Sequence, residues 1–256
     1  MAYRDDADLH FLSEMSSKDL DSLVQCLVFD KDGKKRHTEE LSGSSGYKKS
    51  YPNHNEYWQD IAAEIQTFGA NSLATLVRGG KGVLYKEVLI DVANKLKANF
   101  NSKSNVSIIE QALLMKVLEG ALNKMTAEER DALAKEAGLS AVEQLAPDAA
   151  IAIFMAAFKT GGFQSYQLTL IIVNSILKAT IGRGLTFAGN AVLVRTASIL
   201  TGPIGWAVMG AWTAIDLAGP AYRVTMPSVI YIALLRQQHE LERENLRQEF
   251  EDLMTA

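Results

Sequence analysis

The 256-residue chain has one cysteine, four histidines and five prolines. A lone thiol, Cys26, excludes an intramolecular disulfide framework and fits a reducing compartment. Leu23, Val24, Leu27 and Val28 surround it on an apolar helical face, where a thiol is an inert core group rather than a nucleophile. The histidines His10, His37, His54 and His239 are dispersed and lack the paired spacing of metal ligands. No Gly-x-Ser-x-Gly elbow is present, and no Cys–His pairing follows from the residue order, so hydrolase chemistry has no support. Positive charge is not in excess either: 26 Lys and Arg stand against 30 Asp and Glu. With a pI near 5.7 there is no broad electrostatic reason to bind nucleic acid. The start Met1-Ala2-Tyr3-Arg4-Asp5-Asp6 lacks the basic and apolar regions of a signal peptide, and neither end carries a lipidation motif. A cytoplasmic location is expected, with inner-membrane association left open.

Charge is scarcest over residues 149–222. Only Lys159, Lys178, Arg183, Arg195 and Asp216 interrupt the apolar run there. Such a block must be hidden in protein or in lipid. Gly161-Gly162, Gly182 with Gly184, Gly202-Pro203 and Gly219-Pro220 divide it. The pieces are helices of roughly 10 to 18 residues, mostly shorter than the roughly 20 of a simple membrane span. Short helices with charged flanks favour a soluble bundle, without excluding a hairpin that inserts later.

Strand alternation is absent as well, and helical spacing runs through the rest of the chain. Leu9, Leu12 and Met15, then Leu20, Leu23, Val24 and Leu27, recur at intervals of three and four. Ser16 and Ser17 form an N-cap signal before Leu20. Ser42-Gly43-Ser44-Ser45-Gly46 is expected to be a loop with no packing face. A helix-turn-helix in this region would lack a basic recognition face. Tyr57, Trp58, Ile61, Ile65 and Phe68 make one amphipathic stripe, ended by Gly69 and Asn71. Leu84, Val88, Leu89, Val92 and Leu96 make a second, and Ile108, Ile109, Ala112, Leu113, Val117 and Leu118 a third. Thr126-Ala127-Glu128-Glu129 is a capping box whose helix Gly138 closes, and Ser140-Ala141-Val142-Glu143 is expected to open another helix. From Arg236 the chain turns charged, with Leu241, Leu246, Phe250 and Leu253 assigned to an apolar side. The expected fold is an all-α, multi-helix bundle with an apolar, Gly/Pro-interrupted C-terminal half. Its segments are a small N-terminal helical region (1–50), an amphipathic helical domain (55–145), an apolar helical domain (146–236) and a charged C-terminal helix (237–256).

Several short patterns invite chemical roles. Asp30, Asp32, Gly33 and Glu39 take the third, fifth, sixth and twelfth places of a calcium loop. Val28 then stands at the first ligand position and Lys35 at the apolar eighth, so a solvent-exposed turn is expected instead. Arg78-Gly79-Gly80-Lys81-Gly82 offers glycine backbone to an anion. It lacks the phosphate-loop order and a preceding strand, which makes it a helix connection; Arg78 and Lys81 would carry any anion contact. His54 is expected to start or pack a helix. Gly210, Ala214 and Ala218, spaced by four, form a small-residue stripe for close helix packing. Trp206 and Trp212 suit either a lipid interface or a core. Asp216, an isolated carboxylate among apolar residues, needs a partner, and Arg195 or Arg223 is the candidate. No cofactor or metal is expected.

Taken together, these local signatures resemble the YaaW-like family of bacterial proteins nearly end to end. The resemblance rests first on Ala2-Tyr3-Arg4, Asp8-Leu9, Phe11-Leu12, Asp19-Leu20 and Asp30-Lys31-Asp32-Gly33. In the middle it rests on Tyr57-Trp58, Ile61-Ala62, Phe68-Gly69, Asn71-Ser72, Arg78-Gly79 and Tyr85-Lys86-Glu87. Gly202-Pro203-Ile204-Gly205-Trp206 and Ala218-Gly219-Pro220-Ala221-Tyr222-Arg223-Val224-Thr225 complete it. The family's central part is similar to a ubiquinol–cytochrome c chaperone, which implies an assembly role without catalytic residues.

The residues and the resemblance leave two functional expectations. One is a non-enzymatic helical protein whose apolar C-terminal half engages a membrane or a membrane-protein client. The other is a soluble assembly chaperone or regulatory scaffold that binds a protein partner through a face such as Tyr57, Trp58 and Arg78. An enzyme built on Asp216 with Arg78 or His54 would need those side chains to converge in one pocket.

Overall fold

Side chains that accept backbone amides set the helix starts. Ser16 accepts the Asp19 amide at 3.2 Å and opens α1, Ser17–Val28. Thr126 accepts the Glu129 amide at 3.2 Å while Glu129 takes the Thr126 amide at 2.8 Å, which opens α6, Ala127–Glu136. Between them lie α2, Ser45–Ser50; α3, Trp58–Phe68; α4, Tyr85–Lys95; and α5, Val106–Leu122. Then come α7, Pro147–Thr160; α8, Gly162–Ile181; and α9, Tyr222–Thr255. Short 3-10 turns occupy His10–Glu14, Leu41–Gly43 and His54–Tyr57. This computed structural model describes residues 2–68, 82–182, 184–185 and 222–255. Among the described residues there is no strand, and an isolated antiparallel bridge joins Phe29 to Lys35. The protein is an all-α, multi-helix bundle.

One hydrophobic cluster runs from Leu9 to Leu235 and takes side chains from every helix from α1 to α9 except α2. At its centre α9 packs on α8, with α1, α3, α4 and α5 around them. Every residue of α8 over 168–177 is buried, as is every residue of α9 over 224–235. Helices apolar on all sides belong in the interior. Polar groups caught there find partners near and far: the Tyr231 hydroxyl donates to the Asp19 carbonyl at 2.6 Å. Thr169 and Ser175 hydroxyls donate to carbonyls one turn back, both at 2.9 Å, and Asn174 accepts the Leu185 amide at 3.0 Å. At 20 residues α8 exceeds the expected helix length. Its run ends at Gly182, whose φ of +68° favours glycine. No helix among the described residues is long and apolar enough to cross a membrane.

Two local expectations change. The 42–46 stretch is not a bare loop: Ser44 caps α2 by accepting the Tyr47 amide at 3.1 Å and donates to Asp60 at 2.7 Å. Gly46 lies so close to α3 that a Cβ there would sit 2.7 Å from that of Tyr57. No helix starts at Ser140 either. Asp131 accepts the Val142 and Glu143 amides at 2.9 and 3.3 Å, and a turn closed by the Leu145 amide on the Val142 carbonyl at 3.0 Å follows before Pro147 begins α7.

The change from apolar to charged sequence at Arg236 falls inside α9. One continuous helix enters the core and leaves it. Five residues separate Leu241 from Leu246, about 140° of rotation at ~3.6 residues per turn. They therefore face different ways: Leu241 is half-buried, whereas Leu246, Phe250 and Leu253 are exposed.

Candidate functional site

Among the described residues, a deeply set ionic group joins the N-terminal turn to the last helix. Glu110 lies on the buried side of α5 beside Ile109, Leu113 and Leu114. Its Oε1 accepts the Tyr85 hydroxyl at 2.6 Å and its Oε2 accepts Arg236 Nε at 2.9 Å. Arg236 follows the buried run of α9, and its second terminal nitrogen donates to the Asp8 carbonyl at 2.7 Å. The guanidinium also covers the Phe11 ring, 4.5 Å from its centroid. Tyr85 is the first residue of α4, and its amide is held by Asp6 at 2.7 Å. Burial pushes the Glu110 carboxyl upward, against the pull of Arg236 and the Tyr85 hydroxyl. Burial also works against the Arg236 charge, but Glu110, Tyr85 and Asp8 outweigh it and hold the guanidinium protonated.

A cleft of about 280 Å³ opens beside this pair, between α5, the Gly161-Gly162 turn and α9. Glu110 and Arg236 form part of its wall. Gln237, Glu240 and Glu244 line it from α9, with Ile108 and Leu241 as its apolar surfaces. Gln237 Oε1 is buried and has no hydrogen-bond partner among the described residues.

A second polar cluster fixes α1 against the start of α3. His54 is buried, its Nε2 lies 3.2 Å from Asp21 Oδ1, and its Nδ1 meets the Tyr57 hydroxyl. Both ring nitrogens are thus engaged, one by a carboxylate and the other by a phenol hydroxyl. Burial raises the Tyr57 phenol above its ordinary value, with smaller pushes from Tyr47, Tyr51, Asp21 and Asp60. Tyr57 is interior and offers no exposed partner face, its ring packed edge-on to Tyr47 of α2 and to His54. Trp58 is half-buried, with Tyr3 and His10 edge-on to it at 5.5 and 5.9 Å. Arg223 is exposed at the start of α9, near enough to Arg36 for the two charges to repel. Arg78, Lys81, Arg195, Trp206, Trp212 and Asp216 lie outside the described residues, as does the stripe Gly210, Ala214 and Ala218. His54 converges with Asp21 and Tyr57, a packing role of the kind its place in the sequence suggests. Gly82 of the glycine-rich stretch has a structural reason to be glycine, since a Cβ there would lie 2.3 Å from the Gln66 carbonyl. Asp30 accepts the Asp32 and Lys34 amides at 3.0 and 2.9 Å and closes a turn with Gly33 at φ +73°.

Sequence reasoning missed Glu110 and Arg236. The available signal was a carboxylate on the apolar face of a helix, the same argument that singled out Asp216. It was hidden because Glu110 adjoins Gln111 in a helix that also carries Lys116 and Glu119.

Two family models match the chain. The domain of unknown function DUF3944 matches residues 3–37 and the ubiquinol-cytochrome C chaperone model matches residues 53–230. A UPF0174 protein of Helicobacter pylori strain J99 is 47% identical over 245 residues, 96% of each chain. The chain belongs to the UPF0174, YaaW-like family. A UPF0174 protein of H. pylori strain 26695 is 39% identical over 202 residues, 77% of this chain and 96% of its own. The UPF0174 protein YaaW of Escherichia coli K12 is 33% identical over 240 residues, 92% of this chain and 95% of its own. No solved structure matches this UPF0174 chain. Its buried ionic group draws on both matched regions. Asp8 and Phe11 come from the first and Tyr85 and Glu110 from the second, while Arg236 lies beyond both.

Proposed function

We propose that this UPF0174 protein is a non-catalytic, chaperone-like protein that holds an apolar, basic-flanked segment of a membrane-protein client. The match of residues 53–230 to a chaperone model supports the class. The observation that carries the reading is the distal half of α9. Ile232, His239, Leu246 and Leu253 recur every seven residues and form one column on the helix. The upper part is covered: Ile232 is in the core, and His239 bonds Glu14 at 2.9 Å and leans on Phe11. The lower part outruns its neighbours, leaving Leu246 and Phe250 each 64% exposed and Leu253 78% exposed. An apolar stripe of this kind in water marks an interaction site.

Charge narrows the occupant. Glu240, Glu242, Glu244, Glu249, Glu251 and Asp252 outnumber Arg243 and Arg247 along the same stretch. An acidic, amphipathic helix suits a partner that combines apolar surface with basic flanks. Cytoplasmic loops of membrane proteins have that composition beside their spans. The same acidity opposes direct seating on anionic lipid. The deciding experiment dilutes a detergent-solubilised membrane protein out of its detergent and follows aggregation by light scattering. The wild-type protein is expected to suppress scattering, and Leu246→Ser with Phe250→Ser to lose that effect while keeping the parent's circular dichroism. Equal behaviour of the two forms overturns the reading. In a companion flotation with anionic vesicles, the protein without client is expected to stay at the bottom; flotation there moves the partner from client to lipid.

A further inference from the structure

The structure assigns a proton-operated gate to residues 37–50, the stretch that carries the Leu41–Gly43 turn and α2: it lifts off α3 when the buried Glu64 carboxyl loses its proton. No residue of the exposed α9 stripe takes part, so the gate stands apart from the client reading.

The stretch is anchored on both sides. Before it, the Arg36 amide donates to the Val28 carbonyl at 2.9 Å and Arg36 Nε to the Cys26 carbonyl at 3.2 Å. After it, His54 meets Asp21 and Tyr57. Between these anchors α3 holds it through two carboxylates one turn apart. Asp60 accepts the Ser44 hydroxyl at 2.7 Å, and Glu64 Oε1 accepts the Glu40 amide at 3.0 Å. The apolar residues of the stretch are Leu41, fully buried, and Tyr47, half-buried. A surface segment with so little buried apolar area opens at lower free energy than the core.

Glu64 is where this contact depends on a proton. The residue is 1% exposed, its Oε2 has no partner among the described residues, and no cation pairs with it there. Ionised, it would face the Glu39 and Glu40 carboxylates that the stretch itself carries. The Glu40 amide favours the charged form, but burial outweighs that one hydrogen bond. The chain's amino group also favours it, and an amino group gives up its charge near pH ~8, which adds to the effect at high pH. Lifting the stretch relieves both penalties together: water reaches Glu64, and Glu39 and Glu40 move away from it. Closed, the carboxyl titrates at about 7; in water its ordinary value is 4.5. Opening is therefore least at pH 4.5 and below, grows up to about pH 7 and levels off above it.

Amide hydrogen exchange of the full chain tests the gate against Glu64→Gln, which copies the neutral acid. At each pH the ratio of wild-type to variant exchange rate removes the intrinsic pH dependence of the amides. For residues 39–47 this ratio is expected to rise about tenfold or more between about pH 5 and about pH 8. Low urea should leave the exchange of these amides nearly unchanged, since a local opening exposes little surface. The Glu64 carboxyl carbon, identified by its loss from the Gln variant, should titrate in the same window. A flat ratio, a carboxyl that titrates near 4.5, or exchange over 39–47 that accelerates with urea in parallel with the core amides of α8 overturns the gate.

Discussion

Glu64 shows how one side chain ties stability to pH. It is buried in α3, and its Oε1 accepts the Glu40 amide at 3.0 Å while its Oε2 has no partner among the described residues. Burial pushes its pKa from 4.5 to about 7, the Glu40 amide pulls it back, and the Glu39 and Glu40 charges push it up again. Between those two values the folded chain keeps a proton that the unfolded chain has released. The contribution of Glu64 to stability therefore falls as pH rises from about 4.5 to about 7 and stays lower above that window. Glu64→Gln copies the neutral acid. Thermal unfolding should show the variant melting above the parent beyond pH 7, with the curves converging toward pH 4.5. A Tm difference between variant and parent that stays constant through this window would contradict the assignment. Cys26 has the same cause and no such consequence: full burial raises its thiol to about 12, so it stays protonated and inert.

At the scale of elements, the link between α3 and α4 depends on backbone contact. The Val83 amide donates to the Gln66 carbonyl at 3.2 Å, and Gln66 Nε2 donates to the Arg4 carbonyl at 2.8 Å. Gly82 sits against that carbonyl, where an added Cβ meets backbone atoms at 2.3 Å. Backbone cannot step aside as a side-chain end does, so Gly82→Ala should cost about 2 kcal/mol or more in urea unfolding. Gly33→Ala provides the contrast. Its φ is +73° and nothing lies within 4 Å, so the expected loss is only the strain, about 1 kcal/mol. Similar losses for the two would show that the α3–α4 contact is not tight.

For the whole molecule, Arg236 is the point where the chain ends meet. It binds Asp8 across 228 positions and Glu110 across 126. Arg236→Ala leaves a buried carboxylate without its cation and releases the N-terminal turn, so a loss of about 3 kcal/mol is expected. Glu110→Leu with Arg236→Met removes both charges and should recover much of that loss, since filling the space with apolar groups avoids the unpaired ion. Urea denaturation of the single and double variants measures both. A double variant less stable than Arg236→Ala would mean that the charges themselves, rather than their pairing, support the fold.

Spacing along the chain was enough to read the helices because each buries one side. Leu20, Leu23 and Leu27 of α1, and Val88, Leu89 and Val92 of α4, all end in the core. The caps at Ser16 and Thr126 and the break at Gly182 were legible too, because a cap or a left-handed glycine acts within one turn. Expectations failed where a distant partner intervened. Asp60 recruited Ser44, and Asp131 took the amides after Ser140 before a helix could start there. Glu110 and Arg236 were illegible as a pair because neither carries any sign of the other along the chain. By itself, the sequence determined that this protein is helical and that it belongs among YaaW-like chains. Those properties follow from local spacing, composition and pattern. Only the tertiary structure decided that Tyr57 is interior, that α8 and the first part of α9 form the core, and that the last part of α9 stands clear of it. Burial and ion pairing depend on which surfaces meet, and that is a property of the assembled helices.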